Sequence, residues 1–80
     1  SNFQNKKFVI TGTIPGLSRD EIKHEIELRG GLTSESVSKK TDIVIVGTEP
    51  GSKYDKALSL GITTWDAATL ENYLKLPSKN

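Results

Sequence analysis

Cysteine is absent from this 80-residue chain and histidine occurs once. Without thiols there is no disulfide framework and no thiolate nucleophile, and one imidazole cannot assemble a zinc site by itself. Long apolar runs are missing too. No stretch approaches the roughly 20 residues that cross a bilayer, and no charged-then-apolar segment opens the chain as a secretion signal would. The expectation is a soluble cytoplasmic protein in a reducing compartment, with no membrane partner. An excess of charge is also lacking: 11 Lys and Arg stand against 10 Asp and Glu, a net charge of +1. Any affinity for a polyanion therefore has to come from where the basic residues sit.

The length allows one domain with one modest core. Residues 1–5 read as an unstructured or cloning-derived leader, 6–75 as the domain, and 76–80, around Pro77, as a frayed tail. No internal repeat, linker or low-complexity segment interrupts it.

Lys7 to Thr11, apolar through Phe8, Val9 and Ile10, predicts a strand buried on both faces. A complete helix start follows. Ser18 is placed to cap, Glu21 to return the bond, and Leu17 to staple against Ile22; Ile26 extends the same face, and Gly30-Gly31 ends the helix. Leu32-Thr33 predicts a short edge strand with Ser36-Val37-Ser38 as its exit, and Ile43 to Val46, the most β-prone run, predicts the central strand. Ser52 is the expected cap of a second helix, with Ala57 and Leu60 facing the core and Gly61 ending it. Ile62-Thr63-Thr64 predicts a last strand, and Asp66 caps a final helix with Leu70, Tyr73 and Leu74 on one side. Strands alternating with helices imply an α/β fold: a parallel sheet with helices on both faces.

Gly47-Thr48-Glu49-Pro50-Gly51-Ser52-Lys53 superficially matches a nucleotide-binding P-loop. The glycine spacing is one residue short, Ser52 separates Gly51 from Lys53, and Tyr54 stands where a magnesium-binding hydroxyl belongs. Glu49 would add negative charge beside a triphosphate. The carboxylates Asp20, Glu21, Glu25 and Glu27 fall at cap and helix-surface spacings, and His24 reads as surface. No catalytic constellation emerges, and the chain is expected not to be an enzyme on its own.

What does converge is a set of anion-binding groups. Thr11 offers a hydroxyl at the end of the first strand, Gly12 a bare backbone, and Lys53 a cation at a helix start where the dipole also favours negative charge. Lys56 follows one turn on, and Arg19 lies in the first turn of the first helix. Taken singly, Thr11 and Gly12 only form a turn and the lysines are solvated; taken together, they describe a phosphate-reading surface.

The motif order Phe8-Val9-Ile10-Thr11-Gly12, Ser18-Arg19-Asp20-Glu21, Gly30-Gly31, Val37-Ser38-Lys39-Lys40-Thr41, Gly51-Ser52-Lys53, Asp55-Lys56-Ala57 and Gly61-Ile62 resembles the BRCT domain family over nearly the whole chain. The similarity is closest to the branch at the C-terminal end of bacterial NAD-dependent DNA ligases, with a near relative in the large subunit of the eukaryotic clamp loader. The resemblance implies a three-layer α/β/α fold, a four-stranded parallel sheet flanked by three helices. It also implies a 5′-phosphate or DNA site at Thr11, Gly12, Arg19, Lys53 and Lys56, with Lys39 and Lys40 as outer backbone contacts. One departure stands out: Leu70 occupies the third-helix position where many members carry a large aromatic, and Trp65 falls at the strand-to-helix junction. That favours the ligase branch and weakens tandem-repeat phosphopeptide recognition, which needs a second repeat.

The resulting expectation is a monomeric, non-catalytic ligase module that binds nicked or 5′-phosphorylated DNA in replication and repair, in a bacterial cytoplasm at the nucleoid. It needs no cofactor itself, while NAD and a divalent metal belong to the parent enzyme. The alternatives are a module that binds a phosphopeptide or docks other domains of its parent, and a structural appendage with a vestigial pocket.

Overall fold

The sheet is built from residues that can be buried on both sides. In the computed structural model, which describes residues 3–75, β1 (Lys7–Thr11) and β3 (Ile43–Val46) pair in parallel at the centre. The short β2 (Leu32–Ser34) and β4 (Thr63–Asp66) form the edges, giving the order β2-β1-β3-β4, parallel throughout. Helices α1 (Arg19–Leu28), α2 (Ser52–Leu60) and α3 (Ala67–Lys75) complete an α/β fold with three helices.

Strand alternation sorts the side chains by size. Phe8, Ile10, Ile43, Ile45 and Trp65 turn toward Ile22 and Ile26 of α1 and Leu70 of α3 in one cluster. Val9 and Val44 turn the other way, toward Ala57 of α2 and Val37. The larger cluster lies beneath two helices and the smaller beneath one, so wide and narrow residues alternate along the same strands.

The first helix begins as its sequence predicts. Ser18 Oγ accepts from Glu21 N–H at 3.1 Å while Glu21 Oε1 accepts from Ser18 N–H at 2.8 Å, and Leu17 packs against the cluster that holds Ile22. Asp66 caps α3 through Oδ1, which accepts from Thr69 N–H at 2.8 Å. Ser52 departs from expectation. The cap of α2 is Gly51, at φ +74°, with no side-chain bond, and Ser52 is already the first helical residue. The Tyr54 N–H donates to the Gly51 carbonyl at 3.3 Å, so the first turn closes one residue early. The last strand also runs later than Ile62-Thr63-Thr64, ending at Asp66, because Trp65 pairs in register with Ile45 and fills the core.

Residues 3–5 are not a loose leader. Phe3 is only 3% exposed, stacked on Phe8 at 5.4 Å between ring centroids and edge-on to Trp65 at 5.5 Å. Trp65 in turn stacks on Tyr73 at 4.3 Å. The domain therefore begins by residue 3, because an apolar ring of this size gains too much from burial to remain in water. The expected tail at 76–80 and residues 1–2 lie outside the described residues.

The Phe3→Ala substitution should lower stability by about 3–5 kcal/mol, a large share of what so small a domain possesses. Urea denaturation reads this directly, and an unchanged midpoint would return the boundary to residue 6. A second expectation concerns acid. The Thr69 backbone N–H, with help from its hydroxyl, favours the ionised Asp66 carboxylate and holds it below its ordinary value of 3.8. The cap's contribution is thus complete above about pH 4 and fades as pH falls through the lower folded value. Asp66→Asn, whose amide oxygen accepts the same bond without titrating, should show a shallower loss of stability below pH 4. Identical acid profiles would refute this role for the carboxylate.

Candidate functional site

At the carboxyl end of the sheet, two chain segments cross at unusually close range. The exit of β1 and the exit of β3 are joined by Gly47 N–H to Thr11 O (2.8 Å), Thr13 N–H to Thr48 O (3.0 Å) and Thr48 N–H to Thr13 O (2.9 Å). A Cβ on Gly12 would stand 2.6 Å from Thr48 O, and one on Gly47 would stand 2.4 Å from Thr13 O. Gly12 also has φ +79°, which disfavours any side chain there. The Thr11 hydroxyl, 3% exposed, donates to the Pro50 carbonyl and ties the following loop to the sheet. These contacts fix where α2 begins.

Beside this crossing a groove opens between the amino ends of α1 and α2, outside the carboxyl ends of β1 and β2. It is lined by Ile10, Arg19, Lys23, Thr33, Ser34, Glu35 and Lys53. In parallel α/β sheets this is the end at which ligands bind. Arg19 is the first residue of α1, Lys23 lies one turn later on the same helix, and Lys53 is the second residue of α2. Lys53 is half-buried, while Arg19 and Lys23 are exposed. Among the described residues the one ion pair is Arg29–Glu25, so none of the three groove cations is neutralised by a carboxylate. The amino ends of both helices add partial positive charge. Chemically, the groove is equipped to hold an anion with several oxygens.

Sequence-predicted residues divide into four groups. Arg19 and Lys53 line the groove. Thr11 and Gly12 lie beside it, but Thr11 spends its hydroxyl on Pro50 and Gly12 accommodates the crossing of the strand exits. Lys56 is exposed on α2 and is not a lining residue. Lys39 and Lys40 are exposed just before β3, where Asp42 N–H donates to Lys7 O at 2.9 Å and Lys7 N–H donates to Asp42 Oδ2 at 2.8 Å. That is the amino end of the sheet, on the order of 13 Å along the strands from the groove at 3.3 Å per residue. They are not brought to the same site.

Four polar lining residues escaped the sequence reading. Lys23 had a usable signal, since a residue four positions after Arg19 shares its helix face. Thr33, Ser34 and Glu35 had none, because their position depends on the pairing of β2 with β1, Lys7 opposite Leu32 and Val9 opposite Ser34. His24 is exposed, and no group of three or more His, Cys, Asp or Glu residues among the described residues could hold a metal ion. No helix there is long and apolar enough to cross a membrane.

Comparison with known proteins adds an independent line. The family model for the BRCA1 C Terminus (BRCT) domain matches residues 1–74. A DNA ligase of Anoxybacillus flavithermus is 56% identical over 68 residues, 85% of this chain and 10% of that protein. A DNA ligase of Syntrophomonas wolfei is 53% identical over 73 residues, 91% of this chain and 11% of its own. One from Coxiella burnetii is 50% identical over 76 residues, 95% and 11% respectively. The chain thus spans about a tenth of the length of these curated relatives. With the parallel four-stranded sheet, its three helices and these matches in agreement, the chain belongs to the BRCT domain family.

Proposed function

We propose that this chain is a non-catalytic accessory module of a DNA ligase, and that it binds nicked or 5′-phosphorylated DNA ends during replication and repair. The observation that carries the reading is the meeting of Arg19, Lys23 and Lys53, without carboxylate partners, in one groove between two helix amino ends. Its relatives are DNA ligases, which supplies the setting.

A terminal phosphate monoester suits this groove better than an internal phosphodiester. It carries close to two negative charges and three free oxygens, whereas the diester carries one charge and is hemmed in by sugars. Arg19 can grip two oxygens side by side, and Lys53 meets the third as a point charge with the α2 dipole behind it. Lys56, one turn along α2, reaches the adjoining backbone outside the groove. Thr11 and Gly12 act indirectly by fixing the start of α2. The module contributes affinity and placement. Strand joining, NAD and a divalent metal belong to other parts of the parent, in a bacterial cytoplasm where the substrate is nucleoid DNA.

The discriminating experiment is an NMR titration at low salt with two matched short duplexes, one with a recessed 5′-phosphate and one with a 5′-hydroxyl. Shifts should concentrate at Arg19, Lys23 and Lys53 with the phosphorylated duplex alone. Equal shifts with both duplexes, or larger shifts with a phosphopeptide, would sink the DNA-end reading. Arg19→Ala and Lys53→Ala should each weaken binding about tenfold, as loss of a charged hydrogen bond implies. Each should also reduce the slope of log K against log salt by roughly one. Lys39→Ala and Lys40→Ala should leave both quantities unchanged, and a reduced slope there would extend the interface to the far end of the sheet.

A further inference from the structure

The groove is not uniformly basic. Its α1 and α2 sides are formed by Arg19, Lys23 and Lys53, while its β2 side is formed by Thr33, Ser34 and the acidic Glu35. Glu35 is not spent on the cations around it, because no ion pair joins it to Arg19, Lys23 or Lys53. Nor does it cap a helix or accept any other side-chain hydrogen bond among the described residues; Ser34 Oγ next to it bonds to Ser36 O at 3.5 Å. An unpaired carboxylate in a groove lined by three cations lowers affinity for every polyanion. Such a group earns its place by discrimination, through repulsion of the wrong ligand and acceptance of a donor from the right one.

We propose that Glu35 is a specificity-determining residue. While the cation wall holds a terminal 5′-phosphate, Glu35 accepts a hydrogen bond from a neighbouring hydroxyl and repels a second phosphate at that position. On a nicked duplex the neighbouring group is the 3′ terminus of the other fragment. The groove then distinguishes a nick with a 3′-hydroxyl, which a ligase can seal, from one with a 3′-phosphate, which it cannot. Ionised Glu35 has only acceptor oxygens, so it matches a hydroxyl and opposes a phosphate. This inference rests on the reading of the groove as a DNA-end site.

The test uses this 80-residue chain and three nicked duplexes of one sequence at one low salt concentration, with affinities from NMR titration. The nicks carry 5′-phosphate with 3′-hydroxyl, 5′-phosphate with 3′-phosphate, and 5′-hydroxyl with 3′-hydroxyl. Wild-type protein should bind the first about fivefold or more tightly than the second, the size expected for one added charge repulsion near 4 Å in a wet groove. Glu35→Gln keeps an acceptor oxygen and removes the charge. Because Glu35 is exposed, the fold should be retained. In that variant the difference between the first two nicks should fall to twofold or less, through a gain in affinity for the 3′-phosphate. Equal wild-type affinity for the first two nicks overturns the proposal, as does discrimination that survives Glu35→Gln; both leave the DNA-end reading standing if the third nick binds more weakly than the first. Equal binding of the first and third nicks, or binding of none, overturns both.

Discussion

The crossing of the β1 and β3 exits is the constraint on which the whole groove end of the sheet depends. Three backbone hydrogen bonds hold Thr11 and Thr13 to Gly47 and Thr48, and neither Gly12 nor Gly47 can carry a side chain without striking a backbone carbonyl. Because the two central strands are locked together there, the loop after β3 has a fixed origin. Thr11 then fixes its far end through Pro50. The result is that α2 starts beside α1 although the two helices cover opposite faces of the sheet. A groove with cations from both helices exists only because of that proximity.

The other end of the molecule is secured differently. Arg29, the residue that follows α1, donates through Nη1 to Glu25 Oε1 at 2.6 Å and to the Glu25 carbonyl at 3.0 Å, and through Nη2 to the Leu74 carbonyl of α3 at 3.0 Å. Its guanidinium also lies 5.6 Å from the Phe3 ring centroid. One side chain thereby joins α1, α3 and the first described residue of the domain. Arginine suits this task, since a planar fork can satisfy several acceptors and still stack on a ring. The aromatic group of Phe3, Phe8, Trp65 and Tyr73 beneath it supplies large apolar rings, while α3 contributes only Leu70 to the fully buried core. Trp65 on β4 thus provides from the sheet the bulk that an aromatic at the Leu70 position would otherwise bring.

Most of this fold was legible in the sequence because its elements are locally determined. The capping box at Ser18 and Glu21 and the alternation of Phe8-Val9-Ile10 and Ile43-Val44-Ile45-Val46 each state their structure within a few residues. What misled was nonlocal. Ser52 looks like a cap, but a left-handed Gly51 starts the helix first. Phe3 looks expendable until Phe8 and Trp65, distant in sequence, are assembled against it. Lys39 and Lys40 carry suitable charge, and only the topology shows that they stand at the opposite end of the strands from the groove. Glu35 was invisible because its side of the groove is set by strand register.

A motif and a site are therefore different objects in this domain. Gly12 permits the close strand crossing, and Thr11 ties the following loop to it through Pro50, so this pair acts on the architecture of the groove end. In the proposed reading Arg19, Lys23, Lys53 and Glu35 set the charge of the groove, the first two and Glu35 from exposed positions and Lys53 from a half-buried one. Substitution at the first pair acts through stability and geometry; substitution at the exposed Arg19, Lys23 and Glu35 acts through charge. In the proposed reading this separation suits a tethered module. Its own affinity can be weak when the parent enzyme keeps it near DNA, since effective concentration replaces contact area. Under that condition a groove gains more from rejecting the wrong end than from gripping every phosphate, and a carboxylate among three cations is the arrangement that does so.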